Sequence, residues 1–305
     1  MQIGFGVPVS GTWATPEAQR TVVRRAEELG YHSVWTFQRL LIPAAAGEGR
    51  WGEVYQSVQD PIVTLAYLAG LTKRVRLGVA VLNIPFMSPV VLAKQLTTLD
   101  LVSHGRLDVG LGLGWAKEEF LAAGASFPGR GRRAEEFIEA LRRVWTEGVT
   151  EFHGRFYEIP PSRVEPKPAQ RPHPPLLLGG SAEPALRRAG RMAAGWISSS
   201  RADLAAIGES IDTVRQAAVA AGRDPTVLRF VCRGVVQIRP AGAAHRRLLT
   251  GSVEEIRGDF DFVRGRGVTE LFIDLNYDPE IGSRDADPEE SVRRAEEALV
   301  AFAPR

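Results

Sequence analysis

The chain has 305 residues, 44% of them apolar and 24% charged, with a formal net charge of +2. That is the balance of an ordinary globule long enough to bury a large core, and it gives no electrostatic case for a nucleic-acid partner. The lone Cys232 excludes an internal disulfide and a cysteine-based metal cluster.

No apolar run is long enough to span a bilayer, and the opening MQIGFGVPVS reads as a strand and not as a secretion signal. A soluble cytoplasmic protein without a membrane partner is the expectation. Ile3 to Val9 is a β-type run closed by Ser10-Gly11. Thr15-Pro16-Glu17 supplies a cap, a proline at the first helical position and an acid in the positive first turn, and Gly30 stops the helix after Leu29. Ser33 to Phe37 is a second strand. The glycine-bearing stretch 38–59 exceeds an ordinary connection and reads as a functional loop over a site. Asp60-Pro61 opens a helix to Leu71, Val75 to Leu82 is a third strand, and Ser88-Pro89 caps and starts a helix to about Val102.

The chain is organised around Arg106 to Phe120, RLDVGLGLGWAKEEF. An apolar run there ends on glycines at 110, 112 and 114 and gives way to a charged helical segment. Glycines at that place remove side chains where backbone approaches something closely: either a ligand at the strand end or a tightly packed neighbour. Helical segments follow near 116–123 and 132–145, the second with apolar residues at 134, 137, 138, 141, 144 and 145 on one face. The region 149–172, with EFHGRFYEI as a small hairpin and then a run of prolines, is an insertion and not a domain. Alternation resumes with strand Leu176–Leu178, helix Ala182–Arg191, strand Gly195–Ser198, helix Ala202–Ala221 and strand Leu228–Ile238. After an insertion at 239–251 come a helix capped by Ser252, strand Thr269–Leu275, and a closing helix opened by Asp287-Pro288-Glu289-Glu290. Eight β/α units favour one α/β domain over residues 1–305, a (β/α)8 TIM barrel with insertions, whose site lies on the loops after the strands.

Gly179-Gly180-Ser181 follows an apolar run and opens a helix, so free backbone N–H groups and a hydroxyl make either an anion site suited to phosphate or a plain capped turn. Neither this pair nor GLGLG supplies the GxGxxG of a dinucleotide site. His32, His104, His153, His173 and His245 show no metal-ligand spacing, and no serine sits in GxSxG. Glu118 and Glu119 stand at a helix start, where acids are favoured whether or not they act.

Two stretches taken together carry a resemblance: RVRLGVAVLNIPFMSPVVLAKQLTTLDLVSHGRLDVGLGLGWAKEEF and VEPKPAQRPHPPLLLGGSAEPALRRAGRMAAGW. The chain resembles the bacterial luciferase-like monooxygenase superfamily, in the branch described as using the deazaflavin coenzyme F420; the superfamily also holds enzymes using reduced FMN. The resemblance covers positions 1 to about 275. It implies a barrel with an insertion after strand seven, a site at the strand carboxyl ends, and usually a homodimer. It further implies a bulged third strand with a non-proline cis peptide behind the cofactor ring, matching Ala80–Val81 here, with Asn83 and Leu113-Gly114 near the ring. Leu178-Gly179-Gly180-Ser181 would hold the phosphate, with Trp196 close by.

The chain departs from its relatives after the second strand, where Gln38-Arg39 replaces a usual Asp-His pair. Arg39 is a poor base because it stays protonated; it suits binding a carboxylate or stabilising a developing oxyanion. The acid some relatives carry after GxGxG is Trp115, an aromatic wall, and Glu118 is the nearest remaining carboxyl. Gln38, Arg39, Trp115 and Glu118 are therefore the catalytic candidates. Reduction of an activated C=C or C=N bond of a small or medium metabolite by F420 fits better than general-base alcohol oxidation. The alternatives are an FMNH2-dependent monooxygenase fed by a reductase partner, and a barrel that binds without turnover. The loop 38–59 and segments 115–131 and 239–251 would set the substrate, with Trp51, Tyr55, Phe86 and Trp115 as an aromatic pocket.

Overall fold

The computed structural model describes residues 1–44 and 51–304. Eight parallel strands close into a barrel: β1 Gln2–Gly6, β2 Ser33–Thr36, β3 Arg76–Asn83, β4 Leu107–Gly112, β5 Leu176–Gly179, β6 Gly195–Ile197, β7 Arg229–Val235 and β8 Glu270–Asp274. Each pairs with its neighbours in sequence, and β1 closes on β8. The strand expected over 228–238 breaks after Val235; Gln237–Ile238 pairs instead with Thr250–Gly251 beyond the barrel rim. The hairpin Thr150–His153 with Glu158–Ser162 lies between β4 and β5. No described helix is long and apolar enough to cross a membrane.

Local signals explain most helix starts. Thr15, Asp60, Asp224 and Asp287 accept backbone N–H groups from the first turns they precede, each followed by proline. Ser252 and Glu255 form a full capping box. Ser88 precedes its helix, Pro89–Val102, but its side chain makes no capping bond. The helix expected from Ala202 begins only at Ile207, after a turn in which Ala205 donates to Asp203.

Strand alternation sorts the barrel interior into layers. The floor is ionic: Asp108 accepts from both Arg76 and Arg229, Arg229 also reaches Glu270, and Glu270 receives the Ser33 hydroxyl and the Trp35 indole N–H. Burial raises the Asp108 pKa, but the two guanidinium groups outweigh it and hold the carboxyl below its ordinary value. Above the floor Trp35 stacks on Phe272, centroids 5.3 Å apart. Its ring fits because β3 offers Gly78 there; a Cβ would sit 2.3 Å from Trp35 Cε3. Leu177, Ile197, Val231 and Ala80 complete this inner cluster, with Val81 packed on it.

Candidate active site

The barrel mouth is shaped by a bulge in β3. Pairing with β4 jumps from Val79–Val109 to Leu82–Leu111, so β3 carries one extra residue. The Ala80–Val81 peptide inside the bulge is cis, at the bond the family resemblance pointed to. As a result Ala80 and Val81 both turn inward, which a regular strand forbids. Val81 fills the space that side chains would need on β4 and β5: a Cβ on Gly112 would meet Val81 Cγ2 at 2.4 Å, and one on Gly179 would meet Cγ1 at 3.2 Å. Gly110 lies against the Val79 carbonyl at 2.1 Å by the same measure. The close neighbour that Gly110 and Gly112 were expected to admit is thus the bulge itself. Gly114, at φ +71°, meets the rings of Phe120 and Phe86. Leu113 and Gly114 lie just past the end of β4, where the chain leaves the mouth.

Arg233 on β7 locks this bulge. Its Nη1 donates to the Ala80 carbonyl oxygen at 3.1 Å and its Nε to Asp274 on β8 at 2.7 Å. Its Cζ lies 4.6 Å from the ring centroids of both Phe37 and Tyr277. Burial alone would lower the Arg233 pKa; Tyr277 and Asp274 reverse this and raise it, so the guanidinium stays charged inside the barrel. Asp274 also accepts from Asn276, which ties β8 back to the Val7–Val9 segment. Tyr277 OH lies 3.2 Å from Tyr55 OH, and burial pushes its pKa up. Sequence reasoning missed Arg233, Asp274, Asn276 and Tyr277. A charge inside an apolar strand (FVCRGVV, FIDLN) was the available signal.

The expected residues divide. Gln38 is buried, and its Oε1 accepts the Asn83 backbone N–H at 2.8 Å, so its amide oxygen is spent on fixing the end of β3. Arg39 meets the aromatic residues: its Cζ lies 4.5 Å from the Tyr55 centroid, 4.8 Å from Trp115 and 5.5 Å from Trp51. Trp51 and Trp115 are themselves 5.0 Å apart. Phe86 does not join them; it packs edge-on against Phe120. Glu118 is exposed on the outer side of the helix Lys117–Ala122, while Glu119, one residue on, is buried and holds Arg39 with Nη1–Oε2 at 2.9 Å. Glu119 also accepts the Leu40 N–H at 2.7 Å. Helix phase makes the difference: adjacent residues point about 100° apart, so only one of the two glutamates turns inward.

At β5, Leu178 and Trp196 face the layer between barrel and helices, so Leu178 has only backbone to offer the mouth. The Trp196 indole N–H donates to the Gly180 carbonyl at 2.8 Å and pins the turn. Gly180 adopts φ +129°, and residues 180–183 are exposed. The helix Glu183–Met192 begins there without a side-chain cap; Pro184 has no N–H and Ala185 donates to the Ala182 carbonyl, so the Glu183 N–H is the one open to an outside acceptor. Among the described residues no group of His, Cys, Asp and Glu gathers that could hold a metal ion.

The sequence profile of the luciferase-like monooxygenase family matches residues 3–300. The chain belongs to this family of oxidoreductases. An uncharacterized protein of Mycobacterium tuberculosis (strain ATCC 25618 / H37Rv) is 35% identical over 234 residues, 73% of this chain and 80% of its own. The FMNH(2)-dependent dimethylsulfone monooxygenase of Pseudomonas putida is 38% identical over 168 residues, 54% of this chain and 46% of that enzyme. Among solved structures, monooxygenase RslO1 from Streptomyces bottropensis superposes with TM-score 0.80 at 26% identity, covering 99% of this chain and 98% of that one. An F420-dependent secondary alcohol dehydrogenase, solved with an F420-acetone adduct, shares the fold at TM-score 0.78 and 17% identity, with 99% of each chain covered.

Proposed function

We propose that this family member is a two-electron oxidoreductase that binds a flavin-type cofactor, with the ring against Ala80–Val81 and the phosphate at the start of the helix Glu183–Met192. The observation that carries the reading is the inward bulge of β3, an apolar surface held by Arg233 and facing the mouth. The helix start without a side-chain cap fits the phosphate: Ala185 N–H bonds the Ala182 carbonyl and Pro184 has no N–H, which leaves the Glu183 N–H, and Gly180 leaves the approach clear. When bound, such a group supplies the electrons, as reduced FMN ahead of oxygen transfer or as F420 for hydride transfer.

The residues of the chain do the rest. Val81 and Ala80 exclude water from one side of the ring site, Arg233 and Asp274 keep that surface rigid, and Gln38 fixes the strand end at Asn83. Neither Gln38 nor Arg39 is a base, which argues against alcohol oxidation by proton abstraction. The similarity to a named FMNH(2)-dependent monooxygenase tilts the cofactor toward reduced FMN, supplied by a reductase partner, acting on a small organic molecule. F420 stays as the second reading on the Gln38-Arg39 departure, which favours reduction of an activated double bond.

A homodimer belongs to the same proposal. Val63 (71% exposed), Tyr67, Val91 and Val102 put apolar surface on the two neighbouring helices Pro61–Ala69 and Pro89–Val102. Fluorescence titration with FMN and, separately, F420 tests the cofactor. Ser181→Asp should weaken whichever binds about tenfold, by placing a negative charge at the helix start. Binding of neither would overturn the reading in favour of a barrel without turnover.

A further inference from the structure

Among the described residues, five buried side-chain atoms lack a hydrogen-bond partner, and three of them meet in one place: Nε and Nη1 of Arg39 and Oε2 of Glu119. Nη1 and Oε2 are 2.9 Å apart, in ionic contact but not aligned for a hydrogen bond. The side chains are only 6% and 1% exposed. A guanidinium buried with unspent N–H groups is costly unless something else takes those hydrogens. The three rings around Arg39 do not, because a π face stabilises the cation without accepting its N–H bonds in-line.

We propose that Arg39 receives an anionic, carboxylate-class group of the substrate. Rings hold the cation in place, and Glu119 serves as its internal counter-ion until a second carboxylate arrives. Planar oxyanions match the donor fork of a guanidinium, and Arg keeps its charge at every working pH. Trp51 and Trp115 are partly exposed, and Leu40 beside Arg39 is 47% exposed, so the ligand enters on that side by displacing an indole or the misaligned Glu119 oxygen. Glu119 keeps its bond to the Leu40 N–H as it yields. The inference rests on the proposal that the strand-end mouth is the substrate site, and it adds the charge class of the substrate.

The test uses the full chain without cofactor, with benzoate as probe and benzamide as its uncharged counterpart, read by tryptophan fluorescence. Benzoate should quench saturably and benzamide at least tenfold more weakly. Arg39→Met should abolish the benzoate response. Glu119→Gln should tighten benzoate several-fold, because it removes the competing carboxylate; a purely structural ion pair predicts no gain. If Arg39→Met does not fold by circular dichroism, Arg39→Lys should weaken benzoate at least fivefold while keeping the charge. No saturable benzoate response, equal benzamide binding, retention in the Arg39 variants, or the absence of a gain in Glu119→Gln would each overturn the proposal. FMN and F420 titrations run alongside separate the two claims. Benzoate binding without either cofactor leaves Arg39 as an anion receptor and removes the oxidoreductase reading, and cofactor binding without benzoate does the reverse.

Discussion

Arg233 reaches across the barrel to Ala80: one guanidinium nitrogen holds the carbonyl of the bulged strand at 3.1 Å while another holds Asp274 at 2.7 Å. Arg233→Met leaves the carboxylate of Asp274, 1% exposed, without its ion partner, and should cost about 3–5 kcal/mol of stability. Urea unfolding measures this, and a midpoint equal to wild type would count against a locked bulge. At temperatures where the variant is still folded, FMN or F420 should bind more weakly than to the wild type.

Gln38→Ala removes the acceptor for the Asn83 N–H, which is buried. The loss should be about 1–3 kcal/mol, the penalty of an unsatisfied buried donor. Chemical denaturation reads the stability. An unmoved stability would show that the Gln38 oxygen does not hold the end of β3.

Gly112→Ala brings a Cβ to 2.4 Å from Val81 Cγ2 and should cost about 1–3 kcal/mol by overpacking. Val81→Ala should relieve most of that in the double variant. A double-mutant cycle with coupling below about 0.5 kcal/mol would show that Val81 does not fill the space above Gly112.

Stability should fall with acid partly through His173. Burial, aided by Arg142, holds its imidazole below the ordinary 6.5, although the Pro174 carbonyl bonded to Nδ1 works the other way. The unfolded chain therefore binds more protons than the native one as pH drops below about 6.5, and the native state loses stability there. Above that pH the contribution is fully present. Melting temperatures between pH 7.5 and 5.5 should drop less in His173→Gln than in the wild type; parallel drops would dismiss His173 as the source.

How much of the site could be seen beforehand depended on the range of the interaction. The cis bond Ala80–Val81 was legible because it lies within a contiguous motif of the family, and the turn Gly179-Gly180-Ser181 was legible as a turn that leads into a helix, whatever it binds. Glu119 was not separable from Glu118, since both are acids in one helical turn and only the packing of that helix against Arg39 tells them apart. Arg233 and Asp274 lie 41 residues apart and act on Ala80, more than 150 residues away. No local pattern encodes such a contact.

The sequence by itself determined the eight strands and most helix starts, because alternation, proline at the first turn and capping side chains act within a few residues. It also determined the family. Only the tertiary structure decided which polar groups face the mouth and which are already spent. Barrel closure sets β3 across the interior from the adjacent strands β7 and β8, and there a carbonyl, a guanidinium and a carboxylate far apart in the chain satisfy one another. The same closure spends Gln38 on Asn83 and leaves Arg39 with hydrogens to give.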